Sequence, residues 1–237
     1  MFRLLFLFVA TLFASTCFAS EAKAPPLIQD APPQITVIVP EPWLDLQAIR
    51  HLTCGDFVGT GEIIKPNLVL TAAHVVQDRN TCIDTATGAL GNIVIRDNTL
   101  DLALLQFPSD VLPQRIVHIS CQGFKNGEVY YSLGWMLGKE FVIEKMIGTG
   151  IIIHSITTFS GGNFTNLYML NGTLIPGMSG GPILDSEGEM VGTNQTTDWN
   201  GVDNMGHYAG SRQLSDSFLC PSTAKIHNSI KPTDQEK

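Results

Sequence analysis

Short strand-like segments separated by turn residues recur along this chain, and no long helical period interrupts them. The segments fall into two sets. The stretch 107–113 between the sets carries Pro108 and Pro113, which are hard to fit into a continuing sheet, so we expect a crossover there. Two sets of short strands with glycine-rich turns predict an all-β protein of two barrels or sandwiches, and closed barrels fit best.

Two local expectations follow from the pattern of the second set. Residues 117–121 are predicted to form its first strand, because apolar residues alternate there after the proline-containing crossover. Near the end of the set, Ser211 is predicted to cap a short helix that carries Leu214 and Phe218.

The composition allows a large buried core and argues against a nucleic-acid partner. A chain of 237 residues that is 44% hydrophobic suits one large domain or two small domains that share an interface. The formal net charge of -8 and the sequence pI near 5.1 leave no basic excess for binding a phosphate backbone. Acidity of this size mainly favours solubility.

The first 19 residues have the pattern of a secretory signal peptide. Arg3 precedes the apolar stretch 4–14, and Cys17-Phe18-Ala19 resembles a small-x-small cleavage site. The pattern predicts that Ser20 begins a mature protein that is secreted or periplasmic and leaves the membrane once the leader is cleaved. An uncleaved membrane anchor and a lipid-modified Cys17 are the alternatives.

The rest of the chain divides by composition. Residues 20–33 are rich in alanine and proline, which predicts an extended spacer. This spacer is either a pro-segment or a simple linker. We assign residues 34–112 to the N-terminal barrel and residues 113–219 to the C-terminal barrel. Residues 220–237 are polar enough to form a frayed tail.

Four cysteines follow the leader, at positions 54, 82, 121 and 220, in a chain expected to reach an oxidising compartment. Four cysteines allow three pairings. Cys54 and Cys82 bracket the segment around His74, which favours a bridge between them and leaves Cys121 to pair with Cys220. Free buried thiols are the alternative.

Three short motifs carry the candidate chemistry. Gly177-Met178-Ser179-Gly180-Gly181-Pro182 places a serine on a glycine-rich turn, Thr71-Ala72-Ala73-His74-Val75-Val76 supplies a histidine, and Asp101-Leu102-Ala103-Leu104-Leu105 supplies a carboxylate. Serine is a weak nucleophile, so it needs a base within hydrogen-bond reach, and the base needs a partner that fixes its tautomer. A glycine two residues before the serine can aim backbone N–H groups at a developing oxyanion.

These motifs, together with Gly59-Thr60-Gly61, resemble the trypsin-like (chymotrypsin-fold) serine proteases, and in detail the bacterial HtrA-like and related secreted branches. The resemblance covers residues 34–214. It implies two six-stranded antiparallel β-barrels with the active site at their interface. It further implies Ser179 as nucleophile, His74 as general base and acid, Asp101 as orienting carboxylate, and the amides of Gly177 and Ser179 as the oxyanion hole, with no metal or organic cofactor.

Two departures from the family's trypsins carry information. Met178 stands where those enzymes have an aspartate that pairs with a freed N-terminus, so we expect activity without such a pair. The resemblance also places the specificity pocket, and no residue in it offers a carboxylate for lysine or arginine; we therefore expect an uncharged, small or apolar side chain at the cleavage position. An imidazole in the pocket keeps open a preference for acidic residues. The expected pocket residues are Thr173, Gly192, Thr193, Asn194, Gly206 and His207.

The leading hypothesis is a secreted serine endopeptidase that acts on proteins or peptides through an acyl-enzyme. The rival is a catalytically silent binding protein on the same fold, since a fold does not guarantee activity. An esterase is a weaker alternative, because the strand–helix context of an α/β-hydrolase elbow is not seen. Other histidines show no metal-ligand spacing with the cysteines. The chain ends too soon after the catalytic region for a PDZ domain, so we expect a monomer.

Overall fold

The computed structural model describes residues 45–137, 140–157, 163–198 and 208–220. The expected signal peptide, the spacer and nearly all of the expected tail lie outside the described residues. Within these ranges, none of the helices has the length and apolar character needed to cross a bilayer.

Six antiparallel strands form the first barrel. They close in the order β1-β2-β3-β6-β5-β4, with β1 pairing with β4. The strands are β1 (Ile49–Cys54), β2 (Phe57–Lys65), β3 (Leu68–Thr71), β4 (Thr81–Asp84), β5 (Leu90–Asp97) and β6 (Leu102–Gln106). A 3₁₀ turn, Leu46–Ala48, precedes β1, and the single-turn helix α1 (Ala73–Val76) follows β3.

Six further antiparallel strands form the second barrel, in the order β10-β11-β12-β9-β8-β7. They are β7 (Val129–Trp135), β8 (Phe141–Thr157), β9 (Asn163–Asn171), β10 (Pro182–Leu184), β11 (Met190–Asp198) and β12 (Tyr208–Gln213). The expected fold class, all β with two six-stranded antiparallel barrels, is confirmed among the described residues.

The two barrels pack against each other through a shared apolar cluster, which we call the interface core. Strand β6 shows how it forms: Ala103 and Leu105 point into the first barrel, whereas Leu102 and Leu104 join the interface core. Both faces of this strand are therefore buried, and its sequence reads as a continuous apolar run. A fully buried leucine contributes about 1.5–3 kcal/mol. The second barrel supplies Leu133, Leu184, Met190 and Leu214.

Local elements depart from the expectations at both ends of the second barrel. Residues 117–121 form no strand, and only an isolated parallel bridge joins Ile119 to Met190. Ser211 lies inside β12 and caps no helix; the turn that follows is a 3₁₀ turn, Leu214–Asp216. Because Ser211 pairs with both Asn194 and Tyr168, the sheet continues through the position where the sequence predicts a helix start.

Charged residues fill buried positions in strands β1 and β4. Arg50 on β1 is buried and forms a bidentate ion pair with Asp84 on β4, with Nε–Oδ1 and Nη2–Oδ2 distances of 3.0 and 2.7 Å. Two charged residues therefore occupy buried positions that a pattern-based prediction assigns to apolar side chains.

Both favoured disulfides are present. Cys54 at the end of β1 bonds to Cys82 in β4, and Cys121 bonds to Cys220, with Cα–Cα distances of 4.3 and 5.5 Å. The first bridge closes a loop around His74 with a sequence separation of 28. In the chain-entropy description such a loop contributes about 3–4 kcal/mol to stability.

Glu62 is an ionisable residue on the face of β2 that the second barrel covers. It lies opposite Ile49 and Leu70, both in the interface core, and its side chain is fully buried. Neither carboxylate oxygen has a hydrogen-bond partner among the described residues. Burial without a partner raises the pKa of Glu62 well above its usual value of 4.5.

This burial predicts a pH-dependent effect of Glu62→Gln on stability. Because the folded chain holds the Glu62 proton to higher pH than the unfolded chain does, the wild type loses stability as pH rises from 4.5 through the folded-state pKa. The amide side chain of the variant does not titrate. The variant should therefore gain in free energy of unfolding over the wild type by up to about 1.4 kcal/mol per pH unit, measured by urea denaturation from pH 4 to 8.

The exposed Glu187 provides the control. Glu187→Gln should change stability by the same small amount at each pH. A Glu62→Gln effect that is constant between pH 4 and 8 would contradict the prediction.

Candidate active site

Strand pairing brings His74 and Asp101 together. Strands β3 and β6 are antiparallel neighbours with Thr71 opposite Ala103, so the chain leaving β3 lies beside the chain entering β6. Asp101 Oδ2 lies 2.7 Å from His74 Nδ1, and Asp101 Oδ1 accepts the backbone N–H of His74 at 2.7 Å. Both carboxylate oxygens of Asp101 therefore bind His74.

The environment of this pair differs between its two members. Asp101 is buried, whereas the side chain of His74 is 34% exposed. A carboxylate at Nδ1 favours the tautomer that carries a proton there, which leaves Nε2 free to accept one. Phe164 packs its ring edge against the imidazole at a centroid distance of 5.7 Å. The arrangement can thus act as an oriented base at a partly open surface.

The serine-containing turn has a backbone conformation that depends on glycine. Gly177 has a φ of +100°, and a Cβ there would lie 2.4 Å from the carbonyl oxygen of Trp135. A Cβ on Gly180 would lie 2.6 Å from the backbone nitrogen of Ala72, two residues before His74. The turn carrying Ser179 therefore packs directly against the segment that leads to the histidine.

Thr60 holds this turn from the first barrel. Its N–H donates to the carbonyl of Ser179 at 2.8 Å, and its hydroxyl donates to the carbonyl of Gly177 at 2.8 Å. The same hydroxyl accepts the backbone N–H of Trp135 at 2.8 Å, and Thr60 is fully buried. Thr60 thus braces the serine turn through a contact about 117 residues away along the chain. The sequence shows the motif Gly59-Thr60-Gly61 but does not reveal this contact.

Asn194 supports the turn from the second barrel. Its amide donates to the carbonyls of Leu133 and Met178 at 3.1 and 3.3 Å, and its Oδ1 accepts the hydroxyl of Ser132 at 2.7 Å. Its backbone bonds to Gly180 and Gly181. The side chain is fully buried and leaves no surface for a substrate. The expectation that it lines a specificity pocket is corrected by these contacts.

Two of the other expected pocket residues, Thr193 and Gly192, also present no free side chain. Thr193 is fully buried and accepts the amide of Gln195 at 2.8 Å. Gly192 is buried with the ring of Phe124 at the position a Cβ would take. Thr173 is half-buried, and its backbone N–H donates to Glu144. The remaining two expected residues, Gly206 and His207, lie outside the described residues.

Met178 anchors the turn through apolar packing. It is fully buried in the core of the second barrel, in a cluster with Leu174, Ile183 and Val191. Its Cα and side chain lie within 3 Å of the position that a Cβ on Gly134 would occupy. Residue 134 of the neighbouring strand β7 therefore has no room for a side chain. The conformation of the turn is therefore supported without a charge at residue 178.

A pocket of about 250 Å³ opens beside the histidine. Its walls come from α1 and the residues after it, from the chain around Asp101, and from β9. The lining residues are Ala73, His74, Gln77, Asp78, Arg96, Asn98, Asp101 and Phe164. In the described part of the chain, no group of three histidine, cysteine or acidic side chains is placed to hold a metal.

Comparison with known proteins identifies relatives for the region that contains this site. The serine protease Do-like HtrA of Bacillus subtilis is 27% identical over 148 residues, which cover 57% of this chain and 32% of that protein. The probable periplasmic serine endoprotease DegP-like of Marinomonas sp. is 28% identical over 142 residues, covering 58% of this chain and 29% of that protein. The chain thus spans about a third of the length of these curated relatives.

Solved structures agree with the architecture. The active form of the Rv3671c protease from M. tuberculosis matches with a TM-score of 0.60 and 25% identity, covering 78% of this chain and 81% of that chain. A model of the trypsin-like peptidase domain matches residues 59–192, more than half of the chain. The match contains Thr60, His74, Asp101 and Ser179, and the chain therefore belongs to the trypsin-like peptidase domain family.

Proposed function

We propose that this protein is a serine endopeptidase that cleaves proteins or peptides through an acyl-enzyme. Ser179 is the nucleophile, His74 the general base and acid, and Asp101 the orienting carboxylate. The observation that carries the proposal is the 2.7 Å contact between Asp101 and His74 Nδ1, next to a serine turn braced by Thr60. The alternative, a silent binding protein on the same fold, lacks support from the site, since no candidate residue is substituted.

The proposed reaction proceeds in two halves with the proton carried by His74. As Ser179 Oγ attacks the scissile carbonyl carbon, Nε2 of His74 takes the hydroxyl proton and the carbonyl oxygen becomes an oxyanion. The intermediate collapses, the peptide C–N bond breaks, and His74 gives the proton to the leaving amine. Water then attacks the acyl-enzyme in the same way, releasing the acid and regenerating Ser179. Asp101 stabilises the imidazolium at each stage.

The backbone geometry supports an oxyanion hole formed by the N–H groups of Gly177 and Ser179. The carbonyl of Pro176 accepts the N–H of Leu137 at 3.1 Å. Because a trans peptide is planar, the N–H of Gly177 points away from that carbonyl and toward the opposite side of the turn. Thr60 fixes the next carbonyl, that of Gly177, so the turn is held at successive peptides.

We further propose that the enzyme acts outside the cytoplasm. The signal-peptide pattern of residues 1–19 and the two disulfides support this location, as does the relative named as probably periplasmic.

An active-site probe tests the proposed nucleophile. A fluorophosphonate should label the wild type, and Ser179→Ala should abolish both labelling and peptide cleavage, because the covalent bond forms at the serine oxygen. Ser186, exposed on the turn after β10, supplies the matched control, and Ser186→Ala should label like the wild type. Failure of the folded wild type to label would favour the silent binding protein. Labelling together with ester hydrolysis but no peptide cleavage would favour an esterase.

A second test concerns the brace that Thr60 provides. Thr60→Val keeps the shape of the side chain and removes the hydroxyl, leaving the Gly177 carbonyl and the Trp135 N–H without partners. Loss of one oxyanion donor typically reduces kcat about a hundred- to a thousand-fold, and we expect a reduction of about ten- to a hundred-fold from misalignment. KM should change little. Thr60→Ser should keep most of the activity, and Thr53→Val, which removes an exposed hydroxyl contact on β1, is the control.

Cleavage-site profiling tests the expected specificity. Since none of the expected pocket residues carries a carboxylate, peptides with an uncharged small or apolar residue at the cleavage position should be cut, and those with lysine or arginine should not. A library digested by wild type and by Ser179→Ala separates this activity from contaminants. Dominant cleavage after basic residues would contradict the expectation, and cleavage after acidic residues would favour the imidazole of His207.

A further inference from the structure

Three consecutive carbonyls of the first barrel are bound by side chains of the second. The Thr99 carbonyl accepts the hydroxyl of Thr165 at 3.4 Å, a weak contact. The Leu100 carbonyl accepts Nε of Arg212 at 2.7 Å, and the Asp101 carbonyl accepts the amide of Gln195 at 3.3 Å. These side chains come from β9, β12 and β11, so separate strands of one barrel converge on the peptides that precede and include the carboxylate residue.

Arg212 makes the shortest of these three hydrogen bonds. It is 1% exposed, and its Nη1 also donates to the carbonyl of Asn166 at 3.2 Å. Burial lowers the pKa of Arg212, whereas the charges of Asp101, Asp216 and Asp97, in that order, raise it. A guanidinium keeps its charge in proteins, so a buried cation binds the carbonyl of the residue directly before Asp101.

Gln195 makes the second contact from the same face of the sheet. It is 1% exposed, and its Nε2 is shared between the Asp101 carbonyl and the hydroxyl of Thr193 at 2.8 Å. Thr193 lies opposite Arg212 in the register of β11 and β12. Gln195 and Arg212 therefore project from neighbouring positions toward the same short segment of the first barrel.

The segment they bind has an uncommon backbone conformation at the carboxylate residue. Asp101 has a φ of +55°, a backbone region that residues other than glycine seldom occupy. Within the first barrel, the Asp101 carbonyl accepts only the N–H of Ala73 at 3.1 Å among the described backbone contacts. Since both Asp101 carboxylate oxygens aim at His74, a change in this φ would move the carboxylate away from the imidazole.

We infer that Arg212 and Gln195 form a clamp that positions Asp101 against His74 by binding the carbonyls of Leu100 and Asp101. Both are positioning residues, since they act through Asp101 and need no contact with substrate. The inference rests on the proposed function for its kinetic readout, and it assigns to the second barrel the positioning of the backbone segment that carries the carboxylate of the first barrel.

Removal of each contact tests the clamp. Arg212→Met keeps the length and apolar stem of the side chain, and Gln195→Leu keeps its approximate shape; each should lower kcat and the rate of fluorophosphonate labelling about ten- to a hundred-fold with little change in KM. Arg212→Lys retains the charge and one donor, so it should recover part of the loss. Thermal denaturation shows whether each variant is folded. If Arg212→Met is unfolded, the rates of Gln195→Leu and Arg212→Lys decide the outcome.

Matched controls lie far from the site. Gln106 also uses its amide to bind two carbonyls, those of Asn67 and Phe107, and Arg115 pairs with Asp45 at the surface. Gln106→Leu and Arg115→Met should cleave peptides at the wild-type rate. Equal losses in these controls would show a general effect on stability and would overturn the inference.

A double-mutant cycle separates positioning from a structural effect. In an Asp101→Asn background the carboxylate is already lost, so adding Arg212→Met or Gln195→Leu should reduce the remaining rate less than about twofold. An undiminished ten- to hundred-fold loss in that background would overturn the clamp.

Proton NMR gives a readout that does not require turnover. The Nδ1–H of His74, held by Asp101, should give a protected low-field resonance in the wild type that Arg212→Met and Gln195→Leu broaden or shift. If the wild type neither labels nor cleaves, the proposed function fails, and the NMR signal alone then decides the clamp. An unchanged resonance in both clamp variants would overturn it.

Discussion

The hydrogen bonds of Thr60 join the serine turn to the barrel that carries the histidine. The serine turn belongs to the second barrel, whereas Thr60 belongs to a strand of the first. Its amide and hydroxyl bind the carbonyls of Ser179 and Gly177, so the turn is positioned relative to His74 by a part of the barrel that carries the histidine. Correct geometry at the site thus depends on the packing of the two barrels, which the interface core provides.

The sequence was sufficient to predict the parts of the site that are local motifs. His74 and Asp101 follow and precede strands that pair side by side, and both lie in short patterns with a recognisable order. Thr60 was visible within a motif, but its partners lie about 117 residues away. Gln195 and Arg212 carried no signal, since a buried polar side chain bound to a distant carbonyl looks like any other strand residue.

Errors in the fold prediction have the same physical origin. The apolar alternation that identifies strands fails where a buried position is filled by a paired charge, as at Arg50 and Asp84. Asn194 was expected to line a specificity pocket because the family resemblance places the pocket wall on its strand. In the fold its amide and carbonyl meet internal partners, so the polar group is satisfied inside the protein.

The serine turn and Asp101 are held in place by different kinds of contact. Thr60 and the apolar anchor of Met178 fix the serine turn, one from each barrel. Met178 is held by apolar packing in the core of the second barrel, so its contribution to the conformation of the turn needs no charge at that position. Asp101, by contrast, has a left-handed backbone and a charge, and its position draws on buried polar contacts across the interface. A weakening of the interface core would therefore disturb the carboxylate through lost hydrogen bonds and the serine turn through lost bracing, while leaving Met178 packed within its own barrel.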